Sequence, residues 1–586
     1  MTTLINTNAE TKPIGKGEFT DTGLEKRFVK KRANALKTEG TKWTPTWRDL
    51  QTYIYPTLGF FESITPNSGS KIDHKVLLDE EATLDVDTFS SGMMHGFTSA
   101  ARPWFKFYFE DRALMEIPRV AFWLKDSQEK MYEIFQKSNS YTVLAKTYKE
   151  LATFGTGCFY VEEDFDNIIH LKSYTAGEYY IGCDSKGKVN AFYRIFWITV
   201  GQMVKQFGIE NCSVAVQTAY QGNQPDIWKK VSWMVEENDD RIPYLKDYSN
   251  MPFRSIYWED GELDDKYLKL GGYEEFPIVA PRWERATTSD IYGKGAGWKT
   301  LGAVKELQKK KSNLLIALDK KTNPPLQKDS SVSGDVNTLP GGVTTYSSIF
   351  PHAGVKPTYQ VDLDIASLDI SIKDTKQIIK KFFFTDLFLM MIEAAREGSP
   401  ITATEVLERQ SERLSKIAPL LELWQGDEFI KSFIDRTFNI CVRNEVFLPP
   451  PPEIQGLNLK VEYTNILAQA QKAIDIAPMD QWIQSLIALA EVDPNIRDIA
   501  NFDEYAREKG KKLGIPPNII NSPEAVAEIR KAKAEIAAAA ERKQNMIDSA
   551  SAAKDGAGAA KSMADAKMDE DNALVRTTSA VRKMNT

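Results

Sequence analysis

Apolar positions late in the chain fall on a helical beat. In ITATEVLERQSERL and the residues after it, Leu407, Leu414, Ile417, Leu421 and Trp424 recur on one stripe with charged residues between them. Thr402 stands where an N-cap belongs, and Glu405 follows at the spacing of a capping box. Glu405–Arg409 and Glu412–Lys416 add acid-first i,i+4 pairs. A helix is therefore predicted to start sharply at Thr402, after the loose AREGSP stretch, with a kink or break at Pro419. It resumes as GDEFIKSFIDRTFNICVRN, and Leu448-Pro449-Pro450-Pro451-Pro452 then forms a stiff polyproline connector.

Upstream, the same period predicts helices in LEKRFVKKRANALKTEG and in LDVDTFSSGMMHGFTSAARPWF, the second broken by Pro103. Another covers PRVAFWLKDSQEKMYEIFQKSN and continues through YTVLAKTYKELATFG. Residues 157–200 change to β-branched and aromatic runs: GCFYVEED, IIHLKSY, EYYIGCD and KVNAFYRIFWITV, with Asp184-Ser185-Lys186-Gly187 as a turn. Further strands are predicted in SVAVQTAYQ, KVSWMVEEN, FRSIYWED and FPIVAPRWER. After Trp283, GAGWKTLGAVKELQKKKSNLLIALDKKTN is a helix about 40 Å long at 1.5 Å per residue, stopped by Asn323-Pro324-Pro325. A Gly, Ser, Pro and Thr rich insert follows, with extended pieces around TTYSSIF and PTYQVDLD, and then a second long helix, IASLDISIKDTKQIIKKFFFTDLFLMMIEAA. LNLKVEYTN is a strand, the chain is helical from there to residue 545, and the Ala, Gly, Ser, Lys and Asp rich end is predicted disordered. The fold class is α+β, an antiparallel β region framed by helices.

With 586 residues the chain exceeds one core, and about three to five domains or subdomains are expected. A hydrophobic share of 42% and a charged share of 26% suit a folded soluble protein. No apolar run reaches about 18 residues, so no membrane span is read. The polar start MTTLINTNAETKPIGKGEFTDTG lacks a signal-peptide core and reads as a loose arm. Cys158, Cys183, Cys212 and Cys441 are scattered without a C-x-x-C pair, which argues against zinc and disulfides and suits a reducing cytoplasm. A net charge of −7 excludes a generally basic nucleic-acid binder, so any contact with DNA is local or weak.

Catalytic signatures are thin. Gly293-Lys294-Gly295-Ala296-Gly297-Trp298-Lys299-Thr300 resembles a phosphate loop, but Trp298 stands where glycine would let the backbone wrap phosphate, and no clear buried strand precedes it. A glycine-loosened entry into a long helix is the preferred reading. His74, His95, His170 and His352 show no metal spacing. Carboxylate pairs such as Glu162-Glu163-Asp164 and Asp239-Asp240 read as solvated turns, with no base or oxyanion hole beside them.

Lysines carry more information. Lys299, Lys310 and Lys321 are eleven residues apart and share one helix face; Lys309 and Lys320 repeat the spacing, with Lys305 one turn before. Lys373, Lys376 and Lys380 line one side of the second long helix. Two readings stay open: a solvated face on two exposed helices, or rings of lysine in an acidic tube that guides a polyanion without gripping it.

TATEVLERQSERL, APLLELWQGDEFIKSFIDRTFNICVRN and FLPPPPEIQGLNLKVEYTNILAQAQKA are similar to the signature of podovirus head-to-tail connecting proteins, the portal proteins of short-tailed phages. The resemblance extends to SSGMMHGFTSAARPWFKF, FGTGCFYVEED, YGKGAGWKTLGAVKELQKKKSNLL and LGIPPNIINSPEAVAEIRKAKAE, and covers residues 25–545. It implies a portal fold, with a flexible arm (1–24), a wing (25–292), stem helices (293–322 and 366–391) and a clip between them (323–365). A tunnel loop (392–401), a kinked wing helix with its Pro-rich connector (402–455), a crown (456–545) and a disordered tail (546–586) complete it. The resemblance further implies a closed ring, usually of twelve copies, at one capsid vertex of the virion, assembled in the host cytoplasm. Double-stranded DNA would pass through it, and the terminase large subunit, a tail adaptor and the major capsid and scaffold proteins would be its partners. No enzyme activity, cofactor, metal or membrane is implied.

On that basis the channel candidates are Lys299, Lys305, Lys309, Lys310, Lys320, Lys321, Lys376, Lys380 and Arg396, the last on the tunnel loop. Thr402, Glu405 and Pro419 mark where loop becomes helix. Leu301, Val304, Leu314, Leu318, Ile372, Ile379 and Phe383 are expected to pack between neighbouring subunits. The competing classes are a tail adaptor ring, which is usually much shorter, a nucleotide-driven motor subunit using Gly293–Thr300, and a scaffold protein, against which too much of the chain reads as folded.

Overall fold

The aromatic alternation after Gly157 builds two antiparallel sheets in the computed structural model. It describes residues 26–61, 77–242, 250–261, 266–287, 289–330, 334–339, 342–345, 354–358, 365–389, 417–464, 476–489, 499–512, 525–540 and 542–544, with 245, 247 and 332. Three helices come first: α1 (Lys26–Thr41), α2 (Thr44–Tyr53) and α3 (Glu81–Gly96). Strand β1 (Phe105–Tyr108), α4 (Arg112–Glu116), α5 (Pro118–Lys137) and α6 (Ser140–Phe154) follow. Then β2 (Cys158–Asp164) and β3 (Ile168–Tyr174) form a hairpin, and β4 (Tyr179–Cys183) and β5 (Val189–Thr199) another. After α7 (Val200–Phe207) and α8 (Val214–Gln221) come β6 (Trp228–Glu237), β7 (Phe253–Glu259), β8 (Lys269–Tyr273) and the two-residue β9 (Ile278–Val279). One sheet has the order β3-β2-β9; the other is the meander β4-β5-β6-β7-β8.

Packing follows from which faces are apolar. Val29, Ala33 and Leu36 of α1 cover Ala191, Tyr193, Met234, Ile256 and Trp258 on the five-stranded sheet. The largest core gathers α2, α3, α5, α6 and the three-stranded sheet, with Trp47, Phe89, Tyr148 and Phe159 fully buried or nearly so. The long helices are α9 (Ala296–Thr322) and α10 (Ile365–Phe382), and between them β10 (Leu326–Lys328) pairs with β11 (Val355–Pro357). Beyond α10 lie α11 (385–389), α12 (417–425), α13 (Ile430–Arg443) and β12 (Lys460–Tyr463), which pairs with β1. Residues 476–586 form a second unit, with helices Ile476–Leu489, Phe502–Lys512 and 525–540. There Ile483, Leu486 and Ala500 make a small core, Lys509 sits 2.8 Å from Asp480, and Arg530 forks onto Asp503.

Several expectations change for physical reasons. Helix α3 stops at Gly96, well before Pro103, and Phe105–Tyr108 is a strand held by the Tyr132 hydroxyl, which accepts from the Trp104 and Phe105 amides. α5 and α6 are separate because Asn139 leaves the helix to clasp Leu171 of β3, donating to its carbonyl and accepting from its amide. SVAVQTAYQ is the helix α8, since the Ser213 hydroxyl caps the Val216 amide and Val216 turns into the core. The second long helix does not run through to residue 389: Phe384 takes φ 55°, and the break lets Phe383 and Phe388 both bury. On a continuous helix those two positions would point about 140° apart.

The root of α9 is set by glycine. Gly155 ends α6 at φ 84°, and a Cβ there would lie 2.4 Å from both Gly293 O and Gly295 N. A Cβ on Gly295 would meet Leu151 O, and one on Gly297 would meet Thr153 O, each at 2.4 Å. The first turn of α9 therefore rests on the last carbonyls of α6, positive end against negative end. Trp283 N donates to Gly155 O, Gly293 N to Thr156 Oγ1, and Trp298 Nε1 to Phe154 O. We predict that Gly155→Ala costs about 2–5 kcal/mol, from left-handed strain and overpacking together. Gly261→Ala, at φ 93° with nothing within 4 Å, should cost only about 1–2 kcal/mol. Thermal or urea unfolding of the two variants checks the contrast.

Candidate functional site

Helices α9 and α10 run antiparallel as a hairpin, because residue 310 meets 371 and 375 while residue 296 shares a cavity wall with 378–384. The phosphate-loop look-alike is the root of this hairpin. Its glycines are filled by the backbone of α6, and the Thr300 hydroxyl, fully buried, donates to Ala296 O. No open cradle is left for a phosphate at these glycines.

Much of the lysine pattern is committed within the subunit. Lys310 Nζ donates to Thr375 Oγ1 at 3.0 Å and sits 2.6 Å from Glu306. Lys376 bridges Asp79 at 2.8 Å and Glu81 at 2.9 Å, and Lys380 reaches the other Glu81 oxygen at 2.9 Å. Lys305 pairs with Asp49 over the Tyr53 ring, Lys299 with Glu284, and Lys373 with Asp369. Lys309, Lys320 and Lys321 are exposed. Arg396, Thr402 and Glu405, with the pairs to Arg409 and Lys416, lie outside the described residues; Pro419 falls in the first described turn of α12.

Of the apolar positions, Val304, Ile372, Ile379 and Phe383 are buried inside the subunit's own core. They seal α9 and α10 to α3 and to each other, so a single subunit already uses them. Leu301 and Leu314 are half-buried, and Leu318 remains 39% exposed. Other surface is offered by Leu315, Ile316, Ile370, Ile378 and Phe382.

A polar knot joins α9 and α10 to α3, at residues that no sequence motif marks. The Gln308 carboxamide accepts from Leu78 N and Asp79 N and donates to Asp79 O, so both long helices converge on the start of α3. Burial pushes the Glu81 carboxyl up, but hydrogen bonds from Lys376 and Lys380 outweigh it and hold it below the usual range. One turn on, burial pushes Asp85 up to about 7; one oxygen accepts from the Thr385 hydroxyl and the other has no partner among the described residues. A signal was present: Asp85 lies on the same helical face as Ala82, Val86 and Phe89, where a carboxylate is out of place. Farther down, fully buried Arg282 donates to Gly187 O and Glu428, tying the β4–β5 turn to the loop before α13.

The chain belongs to the family of bacteriophage head to tail connecting proteins, whose family model matches residues 26–520. It is 36% identical over 557 residues to the probable portal protein of Bordetella phage BPP-1, covering 95% of this chain and 98% of that one. It is 34% identical over 518 residues to the portal protein of Salmonella phage epsilon15, covering 88% and 92%. Its function is that of a phage portal, a structural component of the virion, and the adaptor and motor alternatives are not favoured. Among the described residues no helix is long and apolar enough to cross a membrane.

Asp85 links the stability of the fold to pH through its protonation. Its folded pKa is raised, so its stabilising contribution is complete below the unfolded value near 4 and is lost as pH rises toward 7. Asp85→Asn should therefore unfold later than the parent at pH 8, by about 1–3 kcal/mol, with the gap closing toward pH 4. Melting curves of both proteins across that range test this.

Proposed function

We propose that this subunit closes with copies of itself into a ring, a dodecamer, whose stem hairpins surround a channel for double-stranded DNA. Family membership across residues 26–520 carries the reading. Support comes from a helical hairpin that partly buries some lysines against its own subunit and exposes Lys309, Lys320 and Lys321. In this reading the insert around β10 and β11 is the clip that docks the terminase large subunit during packaging and the tail adaptor afterwards. ATP hydrolysis belongs to the terminase. The ring stands at one capsid vertex among major capsid and scaffold proteins and is assembled in the host cytoplasm. Neighbours meet through two different patches, the head-to-tail arrangement that closes by rotation.

DNA in such a channel must slide. Lys309 and Lys320, eleven residues apart on one exposed face of α9, would give repeated weak contacts in a chain of net charge −7. The tunnel loop with Arg396, ended by the Thr402–Glu405 capping box, would be the moving part. Electron-microscope top views of the purified protein should show rings of about twelve subunits with an open centre. Lys309→Glu with Lys320→Glu should leave those rings intact and lower DNA retention in particles several-fold. Unchanged retention would remove the lysines from the mechanism.

A further inference from the structure

Two surface features of unit 1 have complementary chemistry. The first is the β2–β3 hairpin tip, Asp164-Phe165-Asp166-Asn167, where Phe165 is fully exposed between two acids. Phe165 is the most exposed large apolar side chain among the described residues, and seating its ring in an apolar hole would remove that surface from water. The finger is stiff: seven residue pairs hold it in register, and Asp164 Oδ2 accepts from Asn167 N. Its acids nearer the base are already neutralised, Glu163 by Arg443 at 2.5 Å and Glu162 by Lys172 at 2.6 Å. Asp166 is exposed and has no cationic partner among the described residues.

The second is a cavity of about 350 Å³ at the root of the stem. Trp283, Ile378, Phe382 and Phe384 wall it, and Lys299 and Lys381 stand at its edge. It exists because α10 breaks after Phe382: Phe383 turns into the core, while Phe382 and Phe384 are left facing the cavity. Left-handed phenylalanine costs about 1–2 kcal/mol, strain that fits a site better than a filler. Lys381 has no acidic partner among the described residues, and Lys299 has only the exposed Glu284.

We propose that Phe165 of one subunit seats in this cavity of a second copy, with Asp166 set against Lys381. The inference rests on the ring reading above and gives its head-to-tail contact a pair of patches. The finger cannot fill its own cavity. Six residue steps of β2 place the tip about 20 Å from the strand's start, which is tied to the stem root through Thr156 and Gly293. Charge decides the occupant: an apolar tip flanked by acids fits an apolar hole flanked by lysines, and both are built into this chain.

The full-length protein carrying Phe165→Cys and Ile378→Cys, treated with oxidised glutathione, should give a ladder of covalent oligomers on a non-reducing gel. Either single variant should give none. In a second measurement, Asp166→Lys should reduce ring yield about tenfold, and Lys381→Asp in the same chain should restore it. Rings from the parent protein with neither ladder nor charge rescue would overturn the contact and leave the ring reading standing. No rings from the parent at any concentration would overturn the ring reading, and the contact with it.

Discussion

The close backbone approach between the end of α6 and the start of α9 is the constraint on which the rest of the α9–α10 hairpin depends. Without side chains at Gly155, Gly293 and Gly295, two helix ends of opposite polarity can touch, and amides that would otherwise lack partners find them in the neighbouring turn. That contact aims α9. Once α9 is aimed, Gln308 and Lys310 set where α3 and α10 lie against it, and the bend at Phe383–Phe384 returns the chain to the core. The glycines that look like a nucleotide motif are thus a packed joint between two helix ends, with no room left for a phosphate.

The stem's electrostatics separate into two populations. Lysines facing α3 and the partner helix are spent on Asp79, Glu81 and Thr375, where partial burial makes the bonds count. Lys309, Lys320 and Lys321 lie exposed, where ion pairs add little to stability. A portal built this way can change its outer charge without loosening the hairpin. It also keeps a largely buried carboxyl, Asp85, beside the α10 break, where burial holds its pKa up.

Element types were largely legible in the sequence because their periods are long and clean: the strands of 158–199, the first long helix and α13 stand where patterning placed them, while the second long helix stops at Phe382. Three of the other failures share a cause. Asn139 splitting α5 from α6, Tyr132 drawing Trp104 and Phe105 into a strand, and Ser213 turning a β-branched run into a helix are single polar contacts made by tertiary structure or a cap. Periodicity does not register them. The lysine face was legible, but its division into inward and outward members was not, since Lys310 and Lys321 look alike until α10 is in place. Likewise Val304 and Ile379 carry an apolar signal that cannot say which surface buries them. The acidic finger read as an ordinary solvated turn, because Phe165 between two aspartates gives no hint that the ring stands clear of the core.

The most direct test of this account is amide hydrogen exchange at the joint. Gly155, Trp283 and Gly293, with the first turns of α9, should exchange together with α6 and at the slowest rates in unit 1, opening only when that unit unfolds. If the start of α9 exchanges orders of magnitude faster than α6, the α9–α10 hairpin is not rooted at the Gly155 joint.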